Sequence, residues 1–181
     1  MIKKKWYDVY APKIFGGIRI GEILVTDPKT LTERAVEVLL SDIIQDPSKF
    51  YIKLKFKGDK LENEKLYTKF VGHECLRDYI SHIVRRGVTR VDNNVIVTTK
   101  DEKKLRVKGI LITSRRVNVS TKSKIIKAMD KVIIEYAGKT NFDDFVKDMV
   151  FGVIAGKIKK ACKKIYPVSK VEIRKSHVLN K

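Results

Sequence analysis

Phe50-Tyr51-Ile52-Lys53-Leu54-Lys55-Phe56-Lys57 is the stretch that decides the fold class. Ile52, Leu54 and Phe56 alternate with three lysines, the two-residue period of a strand with one buried face and one wet, basic face. Asp46-Pro47-Ser48-Lys49 before it reads as a turn, Gly58-Asp59 follows it, and Lys65 to Gly72 reads as its partner strand. Downstream, Val91 to Thr99 and Leu105 to Thr113 form a hairpin over Lys100-Asp101-Glu102-Lys103. Upstream, Gly21 to Thr26 reads as a strand, while Ala35 to Leu40 fits either a strand or a helix.

Helical periodicity takes over between these strands. Cys75 to Arg86 carries Leu76, Tyr79, Ile80 and Ile83 on one stripe and ends in Arg85-Arg86-Gly87, bases and a glycine where a helix stops. Ser120 to Ala137 is a helix with Ile126, Met129, Ile133 and Ala137 on one side. A last long helix is expected from about Asn141 to Ile165, with Asp143 and Asp144 at its start and lysines at its end, as the helix dipole favours. Pro167 stops it, and Val168 to Arg174 closes the chain as a strand. The expected class is α+β: a mostly antiparallel, β-barrel-like core with flanking helices.

No Pro-, Ser- or Gly-rich linker divides the chain, so residues 21–181 are expected to form a single domain. Residues 1–20 show no clear period and carry five bases and one acid, with Trp6 and Tyr7 directly after Lys3-Lys4-Lys5. They read as an extended basic arm that orders on a partner, the alternative being a frayed terminus with Trp6 tucked onto the core.

Charge points to the partner. Forty lysines and arginines against 21 acids leave a net +19, with an isoelectric point near 9.9. Like charge on this scale opposes compactness unless a polyanion removes it and its counterions are released. Thermophilic ion-pair networks need both signs in balance, and here bases outnumber acids almost two to one. With 43% hydrophobic residues spread along the chain, a disordered basic tail is excluded. No apolar run reaches a membrane-spanning length, and the N-terminus lacks the apolar stretch of a signal peptide. Nucleic acid in the cytoplasm is the expected partner. Cys75 and Cys162 are isolated and read as buried free thiols, which excludes a zinc ribbon.

Catalysis finds no support. There is no Gly-x-Gly-x-x-Gly and no Walker loop, and His73-Glu74 lacks a second histidine at zinc-motif spacing. Asp143-Asp144 at a helix start is explained by capping. No cofactor and no metal are expected. What remains is basic clusters: Arg77, Arg85, Arg86 and Arg90 around one helix, Arg115-Arg116 after the hairpin, and Lys103, Lys104, Arg106 and Lys108 along its second strand. Lys157 to Lys181 holds nine bases and one acid. The candidate RNA contacts are Lys3, Lys4, Lys5, Trp6, Tyr7, Lys13 and Arg19 in the arm, then Arg77, Arg85, Arg86, Arg90, Arg115 and Arg116, then Lys157, Lys159, Lys160, Lys163, Lys164, Arg174 and Lys175. Arginine forks suit phosphates, and several separate clusters suit the broad surface of folded RNA. An RNA-processing enzyme or a free-standing regulator would use the same surface.

Lys5-Trp6-Tyr7-Asp8-Val9 with Ala11-Pro12 and Phe15 resembles the opening of an archaeal and eukaryotic small-ribosomal-subunit protein family, the e-type S-one or S-three-a family. The resemblance continues through Gly21-Glu22, Arg34-Ala35-Val36-Glu37-Val38, Lys53-Leu54-Lys55-Phe56 and Asp78 to Arg86. It extends over Thr98 to Asp101, Leu105 to Lys108, Tyr166-Pro167 and Val171 to Ser176. Ile80-Ser81-His82 stands where the family usually has Leu-Arg-Ser, and Glu33-Arg34 where it often has Gly-Arg. The resemblance implies a structural RNA-binding protein, not an enzyme, on the platform of the small subunit. It implies ribosomal RNA near the 3′ end and the messenger exit, neighbouring platform proteins and messenger RNA as partners. The absence of the longer eukaryotic C-terminal extension makes an archaeal member the expectation.

Overall fold

The computed structural model describes residues 4–179, which fall into two compact units, one ending at Glu74 and one starting at Cys75. In the first unit β1 (Lys5–Tyr10), β2 (Arg19–Val25), β3 (Ala35–Leu39), β4 (Ile52–Glu62) and β5 (Lys65–Cys75) run in the order β2-β1-β5-β4-β3. β1–β2 and β3–β4 are antiparallel, and β1 lies parallel to β5. A short helix, α1 (Leu40–Ile44), follows β3, so the ambiguous stretch Ala35 to Leu40 is a strand that turns helical at its last residue. β4 keeps the alternation read from sequence: Ile52, Leu54 and Phe56 are buried. Phe56 packs with Phe15 and Phe70 at ring separations of 5.8 and 6.5 Å.

The expected arm is, over residues 5–10, the strand β1. Tyr7 and Val9 alternate inward and join Val25, Leu31 and Leu66 in a buried cluster. The lysine run and Pro12 hide that short period in the sequence. Burial of Tyr7 and Val9 with Val25, Leu31 and Leu66 favours the segment's place in the sheet.

The second unit is a three-stranded antiparallel sheet, β6 (Arg90–Thr98), β7 (Lys104–Thr113) and β8 (Val168–Leu179), with β7 in the middle. The helix α2 (Arg77–Ile83) is shorter than expected, because Val84 is already extended. α3 (Val119–Lys139) packs on β6 and on α5 (Val153–Lys163), and α5 packs on β8. The buried stripe of α3 is Ile125, Met129, Ile133 and Ala137, so Ile125 rather than Ile126 leads it. The single long helix expected from Asn141 to Ile165 is two: α4 (Phe142–Val150) and α5, broken where Gly152 takes φ +88°. The left-handed residue costs a glycine little and re-aims the chain, so both apolar faces reach the core. The class is α+β with mostly antiparallel strands, as expected.

A polar seat fixes α3 to the sheet. Asn93, buried on β6, donates to Asp130 of α3 at 2.9 Å and accepts from the Gly109 amide at 2.7 Å. A Cβ on Gly109 would lie 2.5 Å from the Asn93 amide oxygen, so only glycine fits beneath it. At the other end of the hairpin, Asp101 accepts from the Phe142 amide at 2.9 Å and caps α4 from outside the helix.

Candidate nucleic-acid interface

Antiparallel pairing gathers three loops at one end of the second unit's sheet. β6 begins at Arg90 opposite Ile112, β7 ends at Thr113, and β8 begins at Val168 opposite Thr113. The segments 84–89, 114–118 and 164–167 therefore emerge side by side, and hydrogen bonds staple them. The Thr113 hydroxyl, fully buried, accepts from the Thr89 amide at 3.0 Å and donates to the Arg115 carbonyl at 2.6 Å. The Val117 amide donates to the Thr89 hydroxyl at 3.1 Å, the Ser114 amide to the Pro167 carbonyl at 3.0 Å, and the Tyr166 hydroxyl to the Arg116 carbonyl at 3.4 Å.

This frame carries Arg85, Arg86, Arg115, Arg116, Lys163 and Lys164, all exposed, and the three loops contain no acid. None of the six has an ion pair among the described residues. A cleft of about 360 Å3 opens beside them, lined by His82, Ile83, Arg85, Val88, Ile112, Ser169 and Lys170. The arrangement presents several cations on rigid backbone, which suits phosphates and saves the ordering cost of a mobile loop.

The other expected contacts divide by environment. Arg90 is held by Asp92 in a two-point pair at 2.8 and 2.9 Å. Lys159 donates to the Ser169 carbonyl at 3.0 Å, and the Lys157 ammonium sits 3.7 Å from the Tyr136 ring centre. Lys160 is exposed on α5 and Arg77 is exposed at the start of α2. Arg174 and Lys175 lie on β8, where the register slips between Lys108 and Gly109, and the Arg174 Nε is buried without a partner. In the first unit Trp6 is 61% exposed, while Tyr7 is buried and cannot stack on a base from that position. Lys4 and Lys13 are exposed, and Lys5 pairs with Glu64 at 3.4 Å. Arg19 is bound to Asp8 and Glu22, and the Asp8 carboxylate above all raises its pKa. Lys3 lies outside the described residues.

The basic outer face read on β4 is answered at Lys53 and Lys55, and Lys57 stays exposed. Glu37, directly opposite Lys55, takes Lys53 and Lys55 at 3.0 Å each, and Glu74 takes Lys55 at 3.2 Å. Hydrogen bonds from Lys53 and then Lys55 hold the Glu37 carboxyl below its ordinary 4.5. The outward row Lys104, Arg106 and Lys108 of β7, legible in the sequence as a basic cluster but not placed among the candidate contacts, is exposed at Lys104 and Arg106 and half-exposed at Lys108. Cys75 and Cys162 are free and buried, and burial pushes the Cys162 thiol up to about 11. Among the described residues no group of three His, Cys, Asp or Glu could hold a metal ion, and no helix is long and apolar enough to cross a membrane.

A model of the Ribosomal S3Ae family matches residues 1–181. The small ribosomal subunit protein eS1 of Saccharolobus islandicus is 42% identical over 176 residues, covering 97% of this chain and 85% of that protein. Proteins of the same name from Sulfurisphaera tokodaii and Methanothermobacter thermautotrophicus are each 41% identical, covering 97% and 98% of this chain and 91% of theirs.

Proposed function

The chain belongs to the Ribosomal S3Ae family, and from that premise we propose that it is a structural constituent of the small ribosomal subunit that binds ribosomal RNA through the three stapled loops. Family and relatives are ribosomal proteins, not enzymes, so the role is binding. The observation that carries the reading is the acid-free cluster of Arg85, Arg86, Arg115, Arg116, Lys163 and Lys164 on a hydrogen-bonded frame. These cations neutralise phosphates and release counterions, and the frame sets their spacing before the RNA arrives. Lys160 and Arg77 widen the patch, while Arg90, Lys157 and Lys159 hold its edges through their partners inside the protein. Arg174 and Lys175 lie further along β8, away from the loop end. Lys4, Lys13 and the exposed Trp6 form a smaller second contact, in which Trp6 stacks on an unpaired base for ~1–3 kcal/mol.

The family resemblance supports a place on the platform, near the messenger exit and the 3′ end of the small-subunit RNA, in the cytoplasm. Neighbouring platform proteins, and messenger RNA at the exit, are the further partners of that place. The test is sedimentation of the endogenous protein from lysate washed at moderately high salt. Stoichiometric migration with the small subunit is the expected result. Release into the soluble fractions would overturn the structural role in favour of a transient RNA factor.

A further inference from the structure

The outer face of the β6–β7–β8 sheet is covered over one half and bare over the other. From Gly109 to Thr113 every residue of β7 is buried, inward and outward positions alike. α2 lies over that half: the Tyr79 hydroxyl donates to Glu172 of β8 at 3.1 Å, and the Lys170 ammonium sits 4.7 Å from the Tyr79 ring centre. Before Gly109 the pattern changes. Leu105 and Val107 are fully buried on the inner face, while Lys104 and Arg106 are exposed and Lys108 half-exposed on the outer one.

The register makes this bare half unusual. Arg106 stands opposite His177, and Lys108 opposite Lys175. On the other side Asn94 faces Lys108, Ile96 faces Arg106 and Thr98 faces Lys104. No acid occupies any of these positions. Like charges directly opposite on neighbouring strands destabilise a sheet. The same chain avoids this between β3 and β4, where Glu37 stands directly across from Lys55 and pairs with it. Ile96, 53% exposed, lies in the middle of the cations. The row Lys104, Arg106 and Lys108, with no acid opposite it in the register and Ile96 exposed beside it, is matched to a polyanion that brings its own flat, partly apolar surface.

We propose that this half-face is a further RNA-docking surface, seating the sugar-phosphate backbone of a double-stranded RNA segment. The inference rests on the RNA-binding role above and adds a surface distinct from the stapled loops, which lie at the opposite end of the same strands. Double-stranded rather than single-stranded RNA fits because the face offers no Phe, Tyr or Trp for a base to stack on. Lys104, Arg106 and Lys108 repeat every second residue, about 6.6 Å apart, and so track a backbone rather than converge on one phosphate. Ile96 lies against sugars, where an aliphatic contact costs no hydrogen bond.

The test uses the full chain and transcribed small-subunit ribosomal RNA, with affinity measured against potassium chloride concentration. The wild type is compared with Lys104→Thr/Arg106→Thr/Lys108→Thr, which keeps strand propensity, and with Arg85→Ala/Arg86→Ala. The threonine variant is expected to bind about tenfold or more weakly near physiological salt, with a log–log slope shallower by about two to three. Its losses should multiply with those of the arginine variant, because the surfaces do not touch. Without RNA, its melting temperature should equal or exceed the wild-type value. A variant that melts normally and keeps the wild-type slope overturns the proposal. Should the triple variant fail to fold, Arg106→Gln alone is read, with a slope change of about one expected and no change contradicting the proposal. An unchanged slope in the arginine variant counts against the loop interface instead, so the two readings fail separately.

Discussion

The two units handle charge in opposite ways. The first, up to Glu74, contains 14 lysines and arginines against 11 acids, a net +3, and the second contains 26 against 10, a net +16. In the first, Lys5, Arg19, Lys53, Lys55 and Lys69 all end on carboxylates. In the second, Arg90 pairs with Asp92 and Lys131 with Glu135. Exposed pairs of this kind contribute little stability, so the difference lies in what each surface offers to others. The first unit nearly balances its charge and pairs several of its cations within the fold, whereas the second carries a large positive excess. Net charge for the whole chain conceals this division.

The comparison can be sharpened first through the frame of the second unit, with no charge altered. Gly109→Ala drives a Cβ into the Asn93 amide that seats α3 on the sheet. The expected cost is about 2–3 kcal/mol in urea denaturation, from overpacking and a disturbed buried hydrogen bond. Ribosomal RNA should restore part of the lost stability by binding only the folded form. A neutral result would mean that the seat does not brace the hairpin behind the basic loops.

A smaller effect separates the units by pH. Glu37, in the first, has a folded pKa held below 4.5 by Lys53 and Lys55, so its stabilisation is present above that value and is lost as pH falls through the folded pKa. In the second, burial raises Cys162 from 9.0 to about 11, and the hydrogen bond to Asp148, with burial, raises Tyr136 from 10.0 to about 12. Raised folded values mean stability that is intact below pH 9 and is lost between about 9 and 12. Cys162→Val with Tyr136→Phe should flatten the alkaline flank of a stability–pH curve, and Glu37→Gln the acid flank. Flanks that do not respond to their own substitutions would break this part of the comparison.

Much of this was legible in the sequence, for physical reasons that vary by element. The strands β4 and β6 and the first half of β7 announce themselves because one face is buried and the period is strict. β1 was hidden because its two inward residues, Tyr7 and Val9, sit between a lysine run and Pro12. The break at Gly152 was hidden because apolar and lysine positions continue through it in helical step, and only the backbone shows the left-handed residue. The clusters Arg85-Arg86 and Arg115-Arg116 could be named from sequence, but not their meeting with Lys163 and Lys164 at one sheet end, which depends on strand register. The neutralisation of Lys53 and Lys55 by Glu37 depends on register in the same way.

The most direct test of the account removes equal charge from the two units and compares the salt dependence of binding to small-subunit ribosomal RNA. One variant carries Arg85→Ala, Arg86→Ala, Arg115→Ala and Arg116→Ala; the other carries Lys29→Ser, Arg34→Ser, Lys57→Ser and Lys60→Ser, all exposed in the first unit. The account predicts that the first variant loses about 100-fold in affinity at physiological salt and about three in slope, while the second stays close to wild type. Equal losses from both variants would show that RNA reads the net charge of the chain rather than the loop end of its second unit, and would contradict the account.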